Sequence, residues 1–244
     1  YGDVIKSNID QDFAQTFKAY FPKFKESLRL TSEIFEMMRY DISKFSSKWN
    51  VIIPIIYLIY NNDDYIDSIQ GLFAYLFRSI LFNFYSSGTT GKLQIMKSLI
   101  YENNFKLTPE MFEGVDDMRM TDAKIDDLLF AEKGSIAADN ILYCLGINYI
   151  QEGYDYDQDH IHPDARFARS KPLDMTEGDW LISRNCHNKL PNLQLLRSEE
   201  NESKGDQDFD VYYISLNPTA KAKMKVEGFI PEAPVGVGES KYYN

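Results

Sequence analysis

The sequence predicts an α+β protein that is mostly α-helical, with a helical N-terminal domain before a small mixed domain. Apolar residues in the first half recur at spacings of three and four, which is the period of amphipathic helices. After residue 146 the segments become short, Asn, Asp and Pro become frequent, and the helical period fades. With 244 residues and 44% hydrophobic content, the chain can form one large domain or two modest domains with their own cores.

The helical domain is predicted to span residues 1–146. Its first helix carries an apolar stripe, residues 34–38 form a second short stripe, and a long apolar helix follows from Ile66 to Phe84. Further helices are predicted after Thr108-Pro109-Glu110, which suits an N-cap with Pro at the first helical position, and from about Ser135 to Leu145. The first apolar stripe consists of Phe13, Phe17, Tyr20, Phe21, Phe24 and Leu28.

The segment SSGTTGK, Ser86–Lys92, is superficially similar to a phosphate-binding loop. That pattern needs Gly at its first position and a hydroxyl residue after the Lys, and it follows a strand. Here Ser86 and Leu93 occupy those two positions, and an apolar helix precedes the segment. A turn between two helices is therefore the better interpretation.

The overall charge is strongly acidic. A net charge of −11 and a pI of about 4.8 argue against a nucleic-acid partner, because phosphate binding depends on Lys and Arg. A bound divalent cation together with a local basic strip can nevertheless outweigh a distant acidic surface. The charge alone therefore does not exclude DNA as a partner.

Cysteine content and hydropathy predict a cytoplasmic protein without membrane contact. The two cysteines, Cys144 and Cys186, supply neither a disulfide framework nor a four-cysteine zinc site, so a reducing compartment is expected. The longest apolar run, Val51–Tyr60, is too short to cross a bilayer, which takes about 20 residues. Because the chain begins with Tyr1 rather than Met, we expect a fragment or a processed chain.

The segment YDYDQDHIHP, Tyr154–Pro163, holds two of the three histidines behind alternating aspartates. On an extended strand Asp155, Asp157 and Asp159 would point the same way, which suits either solvated charges or a metal site. Asp159 and His160 are adjacent, so they would point to opposite faces. This permits a carboxylate on a metal and an imidazole acting on a water, although such a pair is also common without any chemistry.

Downstream of this segment the sequence predicts a second strand and a helix. NLQLL, Asn192–Leu196, indicates a small strand or turn element, and Ser198 suits the N-cap of a helix with an acidic first turn. Asn201 and Lys204 are three residues apart and therefore share one face of this helix. The Cys186-His187 pair has no second cysteine pair with which to form a tetrahedral site, so a structural or incidental role is favoured.

This order of residues resembles the HNH (His-Asn-His) nucleases, whose site is a ββα-metal fold, and in particular the C-terminal HNH domain of GmrSD-type restriction proteins. In that family D/E-H-I-x-P is followed by N-L-x-L-L and then by N-x-x-K. This chain has DHIHP, NLQLL and NESK in the same order between Tyr154 and Asp206. The resemblance implies an HNH nuclease domain over residues 147–230, followed by a tail over residues 231–244.

The resemblance also implies the roles of the site residues. Asp159 and Asn201 would bind one divalent cation, Mg²⁺ or Mn²⁺, and His160 would be the general base that activates the attacking water. Asn192 would hold the histidine-bearing loop by hydrogen bonds, and Lys204 would contact phosphate or steady the site. Nearby basic side chains would bind substrate, and the candidates are Arg184, Lys189 and Arg197. His162 falls at a variable position of the family and stays outside the core mechanism.

The function expected from the resemblance is a metal-dependent DNA endonuclease or nickase that hydrolyses phosphodiester bonds. In the family, a ParB-like nucleotide-handling domain precedes such a nuclease, and the pair defends bacteria against phage DNA; that domain would lie before Tyr1. The helical domain would then serve as a connector, an interaction domain or a homo-oligomer surface. The alternatives are a non-catalytic helical interaction module with a degenerate nuclease domain and, less well supported, a purely structural metal.

Overall fold

The computed structural model describes residues 11–45, 47–173 and 175–228, so the predicted tail over residues 231–244 lies outside the described residues. The described residues are mostly helical and contain a two-stranded antiparallel sheet, which confirms the predicted class, α+β and mostly α. None of the helices in these ranges combines the length and the apolar character needed to span a membrane.

Backbone contacts divide the chain into two compact units, Tyr1–Arg119 and Met120–Asn244. The sequence placed the boundary later, at Gly146, where the helical period fades. The predicted helix from about Ser135 to Leu145 does form, as Ile136–Gly146, but it belongs to the second unit because it packs against that unit's sheet. The helical period of the sequence fades after residue 146, whereas the boundary between the two compact units follows Arg119.

The first unit is built from four α-helices among its described residues, together with short 3₁₀ turns. Buried side chains from all four helices form its core, including Ile34, Leu58, Tyr75 and Met96. The described helices of this unit are α1 (Gln11–Met38), α2 (Lys48–Asn61), α3 (Ile69–Leu81) and α4 (Thr89–Glu102).

The two apolar stripes predicted near the N-terminus lie on the single helix α1. Ile34, Phe35 and Met38 are buried, but five side chains of the earlier stripe are 37 to 59% exposed. Periodicity predicts which side chains share a face, but it does not predict whether another element covers that face. The exposed members of the first stripe are Phe13, Phe17, Tyr20, Phe21 and Leu28.

The long apolar helix predicted from Ile66 to Phe84 is broken into three pieces. A 3₁₀ turn, Tyr65–Ser68, leads into α3, and a second 3₁₀ turn, Phe84–Ser86, follows it. Asn83 adopts the left-handed conformation between the last two pieces, which ends the α-helix. The segment Ser86–Lys92 then forms a turn and the start of α4, as the sequence predicted.

The second unit contains short helices around a small sheet. β1 (Tyr156–His160) pairs with β2 (Leu193–Arg197) in antiparallel register, with Asp159 opposite Gln194 and His160 opposite Leu193. The two strands are far apart in the sequence, so the sheet is not a local hairpin. The described helices of this unit are α5 (Asp122–Leu129), α6 (Ile136–Gly146), α7 (Asp164–Phe167), α8 (Glu177–Cys186), α9 (Ser198–Lys204), α10 (Phe209–Ser215) and α11 (Pro218–Glu227).

The sheet has a different packing partner on each face. On one face, Leu196 packs with buried side chains of α10 and α11, namely Phe209, Tyr212 and Met224, and α9 lies against both strands. On the other face, β2 contacts α6, where the Leu195 side chain approaches Gly146 closely. The long segment between the strands carries α7 and α8, and Trp180 of α8 is buried there.

A substitution in α3 tests the packing of the first unit. We expect Gly71→Ala to destabilise the protein by about 1 to 3 kcal/mol, because a Cβ there would lie 2.2 Å from the backbone oxygen of Leu107. Urea unfolding would measure this. Gly91→Ala in α4 is the matched control, since nothing lies within 4 Å of its Cβ position, and it should be neutral or stabilising by up to about 1 kcal/mol. Equal stability of the two variants would contradict the close approach.

Candidate functional site

The side chains of Asp157 and Asp159 lie on the face of β1 that meets α9. They are two residues apart on one strand, so they point to the same side of the sheet. Asp159 is buried, and its Oδ2 atom accepts hydrogen bonds from Gln194 Nε2 at 2.8 Å and from Lys204 Nζ at 2.7 Å. Gln194 stands directly opposite Asp159 in the register of the sheet, which explains its contact.

Lys204 forms a buried ion pair rather than a phosphate contact. Its side chain is only 1% exposed, and its ammonium donates both to Asp159 and to the backbone oxygen of His160. Of the two roles that the resemblance implies for Lys204, contact with phosphate or steadying the site, these contacts favour the second. The arrangement instead fixes the C-terminal end of α9 against the last two residues of β1.

Asn201 contacts Asp157, which lies two residues before Asp159, the side chain with which the resemblance would have Asn201 share a cation. The amide nitrogen of Asn201 donates to Asp157 Oδ2 at 3.0 Å. Lys204, one helical turn later, then faces Asp159. The pairs Asp157–Asn201 and Asp159–Lys204 thus lie side by side between β1 and α9. Asp157 therefore joins Asp159 and Asn201, the two cation ligands that the resemblance implies.

Oxygen atoms suited to a hard divalent cation lie between β1 and α9. The side-chain bonds of Asp159 with described residues both use Oδ2, and the bond between Asp157 and Asn201 uses one carboxylate oxygen and the amide nitrogen. One oxygen of each of these three side chains therefore remains for another ligand, and Mg²⁺ prefers carboxylate and amide oxygens. Within the described ranges, no group of three or more His, Cys, Asp or Glu side chains could hold a metal. The three side chains therefore offer donor types that suit Mg²⁺, and two of the three are acidic.

His160 points to the other face of the sheet and is half-buried. Its Nε2 atom lies 3.0 Å from Asn188 Oδ1, and its Nδ1 atom lies 3.4 Å from Lys133 Nζ. Burial lowers the pKa of His160; the Asn188 hydrogen bond opposes this shift, and the Lys133 charge adds to it. The imidazole is therefore predominantly neutral at pH 7, which is the form that can accept a proton.

Asn192 bonds the backbone of two segments, one that contains His162 and one that contains His187. Its Oδ1 atom accepts from the backbone N–H of His162 at 2.9 Å. Its amide nitrogen donates to the backbone oxygens of His162 at 3.0 Å and His187 at 2.7 Å. These bonds have the geometry that a residue holding the histidine-bearing loop requires, and the side chain is turned away from solvent.

Two of the three predicted substrate-binding cations are engaged by protein groups. Lys189 forms an ion pair with Glu132, which lowers the pKa of that carboxyl. The guanidinium of Arg197 stacks 4.0 Å over the ring of Tyr154 and donates to Gln151. Arg184 is exposed on α8, so it is the most accessible of the three.

His187 contacts protein groups through both ring nitrogens. Nε2 lies 2.8 Å from Asp164 Oδ1, and Nδ1 lies 2.6 Å from the backbone oxygen of Arg184. Its ring is stacked against that of His160, with centroids 6.2 Å apart. Both ring nitrogens of His187 are therefore occupied by protein groups.

Three polar neighbours of the site were missed from the sequence. Gln194 could have been found by pairing the two predicted strands, because it is the residue opposite Asp159. Asn188 precedes the predicted second strand and has no motif of its own. Lys133 lies 27 residues before His160, in the turn before α6, and no local pattern connects the two.

No family model matches this chain, and no curated protein matches it. The contacts bring Asp157, Asp159, His160, Asn201 and Lys204 together on one strand and one helix of a single compact unit.

Substituting Asn192 tests its structural role. We expect Asn192→Ala to destabilise the second unit by about 2 to 4 kcal/mol, because it leaves buried backbone groups of two segments without their partner. Chemical unfolding would measure the loss. Asn185→Ala, at an exposed position of α8, is the control and should change stability by less than about 0.5 kcal/mol. A small effect at Asn192 would show that these bonds do not hold the loop.

The buried His162 predicts a pH dependence of stability. Burial, with a smaller contribution from Arg166, lowers its pKa to about 4, whereas an unfolded histidine titrates near 6.5. Since the unfolded chain binds the proton more tightly, this contribution is complete above about pH 6.5 and is lost as pH falls toward 4. We expect the wild type to lose roughly 3 kcal/mol more than His162→Gln over that range, measured by urea unfolding. Parallel pH profiles would contradict the assignment.

Proposed function

We propose that the second unit is a metal-dependent phosphodiester hydrolase of the HNH type that acts on DNA as an endonuclease or nickase. One observation carries the proposal. Asp159 and His160 end the first of two antiparallel strands, and the helix directly after the second strand presents Asn201 and Lys204 to the first. This is the strand, strand and helix order in which the resembling family arranges its site.

The cation-binding residues in this proposal are Asp157, Asp159 and Asn201. Their carboxylate and amide oxygens lie on the face between β1 and α9, and they are hard ligands that suit Mg²⁺ or Mn²⁺. When bound, one such ion would supply charge stabilisation for the phosphate oxygens and the leaving group. Asp157 is added to the ligand set of the resemblance because it is the direct partner of Asn201.

His160 is the proposed general base. Its lowered pKa keeps the ring neutral near pH 7, so it can accept a proton from the attacking water. Asn192 and Lys204 hold its backbone in place. Asn192 bonds the loop that follows β1, and Lys204 donates to the backbone oxygen of His160. The base would thus be held by its backbone as well as by its ring contacts.

The wider setting belongs to the same proposal. A cytoplasmic phage-defence protein would place the nuclease behind a nucleotide-handling domain, and the helical unit would act as a connector or as an oligomer surface. Arg184 offers the exposed cation among the predicted phosphate contacts, and the bound metal offsets part of the acidic net charge. DNA is therefore the proposed partner despite the low pI.

A second candidate function is a non-catalytic interaction module with a degenerate nuclease fold. The buried Lys204 ammonium favours it, because it already neutralises the carboxylate that the family would use for metal. A cationic side chain on a ligand weakens the attraction of that ligand for a second cation. The two candidates differ in whether the wild type binds a divalent ion and cuts DNA.

A plasmid-nicking assay with Mg²⁺ or Mn²⁺ separates the candidates. We expect the wild type to nick supercoiled DNA, and His160→Ala to lower the rate about 10²- to 10⁴-fold because the general base is removed. Asn201→Ala should weaken Mn²⁺ binding, measured by electron paramagnetic resonance, and its rate should recover partly at higher metal concentration. Asn185→Ala is the folded control and should match the wild type.

Two outcomes would overturn the proposal. A folded wild type that neither binds Mn²⁺ nor nicks DNA would favour the degenerate module. Nicking that persists in His160→Ala and Asn201→Ala at the wild-type rate would assign the activity to another site or to a contaminating enzyme. Circular dichroism of each variant shows whether a lost rate reflects lost folding.

A further inference from the structure

We propose that Asn188 and Lys133, which belong to none of β1, β2 and α9, complete the His160 site. Asn188 acts as a positioning residue that holds the imidazole with its proton on Nε2, and Lys133 supplies an ammonium that binds a phosphate oxygen beside Nδ1. This inference rests on the proposed phosphodiester hydrolase and names the groups that would place its base and its substrate.

The backbone fixes both residues relative to β1. The N–H of Lys133 donates to the backbone oxygen of Asn188 at 3.0 Å, and the N–H of Leu190 donates to the oxygen of Ala131 at 2.8 Å. The N–H of Gly134 donates to the side chain of Gln158, a residue of β1, at 2.8 Å. The turn before α6 is thus bonded to the segment before β2 and to the strand that carries the histidine.

The two ring contacts of His160 specify one tautomer. A lysine ammonium has donors and no acceptor, so the Nδ1 atom that faces Lys133 must offer its lone pair. The amide oxygen of Asn188 is an acceptor, so Nε2 must carry the proton. Both contacts are satisfied together only by a neutral ring with its proton on Nε2. Nδ1 is therefore the nitrogen that is able to accept a proton from water.

The ammonium of Lys133 is well placed for an anionic substrate. The residue is exposed, and in the described part of the chain no carboxylate lies within ion-pair distance of its Nζ atom, unlike Lys189, which is paired with Glu132. Its Nζ atom lies 3.4 Å from Nδ1. When Nζ turns from the ring to bind a phosphate oxygen, the lone pair of Nδ1 becomes available to a water beside that oxygen. Base and phosphate contact would then act on adjacent atoms of one reaction.

Nuclear magnetic resonance tests the role of Asn188 without reference to activity. Two-bond ¹H–¹⁵N spectra of the full chain should show the proton of His160 on Nε2, and His160→Gln would identify its signals. We expect Asn188→Ala to convert this ring to a mixture of tautomers and to lower the nicking rate at unchanged DNA affinity, whereas Asn185→Ala should alter neither. A wild-type ring with its proton on Nδ1, or an unchanged tautomer in Asn188→Ala, would overturn this part of the inference.

Salt-dependent binding tests the role of Lys133. With Ca²⁺ in place of Mg²⁺, anisotropy of a labelled DNA duplex should give a log K against log salt slope that is smaller by about 0.9 in Lys133→Met, because one phosphate contact is lost. Lys133→Arg should retain the slope, and Lys124→Met, which makes the same charge change on α5, should also retain it. Equal slopes for the two Met variants would sink the assignment of Lys133.

The two proposals fail in distinguishable ways. A wild type without nicking activity contradicts the proposed function, whatever the variants do. A wild type that nicks, with Lys133→Met and Asn188→Ala both at its rate and with an unchanged tautomer, leaves the proposed function standing and contradicts only this inference.

Discussion

The candidate site depends on one buried ion pair, between Lys204 of α9 and Asp159 of β1. The ammonium also bonds the backbone oxygen of His160, so a single side chain fixes the helix to the two strand residues on which the proposed chemistry rests. Burying two charges costs desolvation free energy unless the pair is close and its remaining donors are hydrogen-bonded. Removing one partner leaves an unpaired buried charge, which is strongly destabilising. The orientation of α9, and with it the direction in which Asn201 points, follows from this pair.

The sheet separates the two halves of the proposed site by its alternation. Asp157 and Asp159 face α9, whereas His160 faces Asn188 and Lys133, because consecutive residues of a strand point to opposite sides. Asp159 and His160 are the last two residues of β1, and Asn192 fixes the chain that leaves the strand there. A cation on one face and a base on the other can therefore act together only at this end of the strand.

Local patterns in the sequence predicted most of the elements but not all of their partners. The helices around residues 69–81 and 136–146, the strand after Asn192 and the helix with Asn201 all follow from period, caps and turn residues. The pairing of Asn201 with Asp157 instead depends on how α9 is rotated against β1, which the buried Lys204 sets and no local pattern records. Lys133 reaches the site through a backbone contact between distant segments, so its place could not be predicted from the sequence.

The ion pair that orders the site also limits the charge that a cation would meet. Lys204 neutralises Asp159, so Asp157, Asp159, Asn201 and Lys204 together carry one net negative charge. One negative charge does not balance the two positive charges of a divalent ion, so a further anion is needed. Mg²⁺ commonly binds through one or two carboxylates together with substrate phosphates. On the proposed function, DNA would supply that anion, and metal and substrate would bind cooperatively. The same lysine that weakens the metal site in isolation would then make metal binding depend on the presence of substrate.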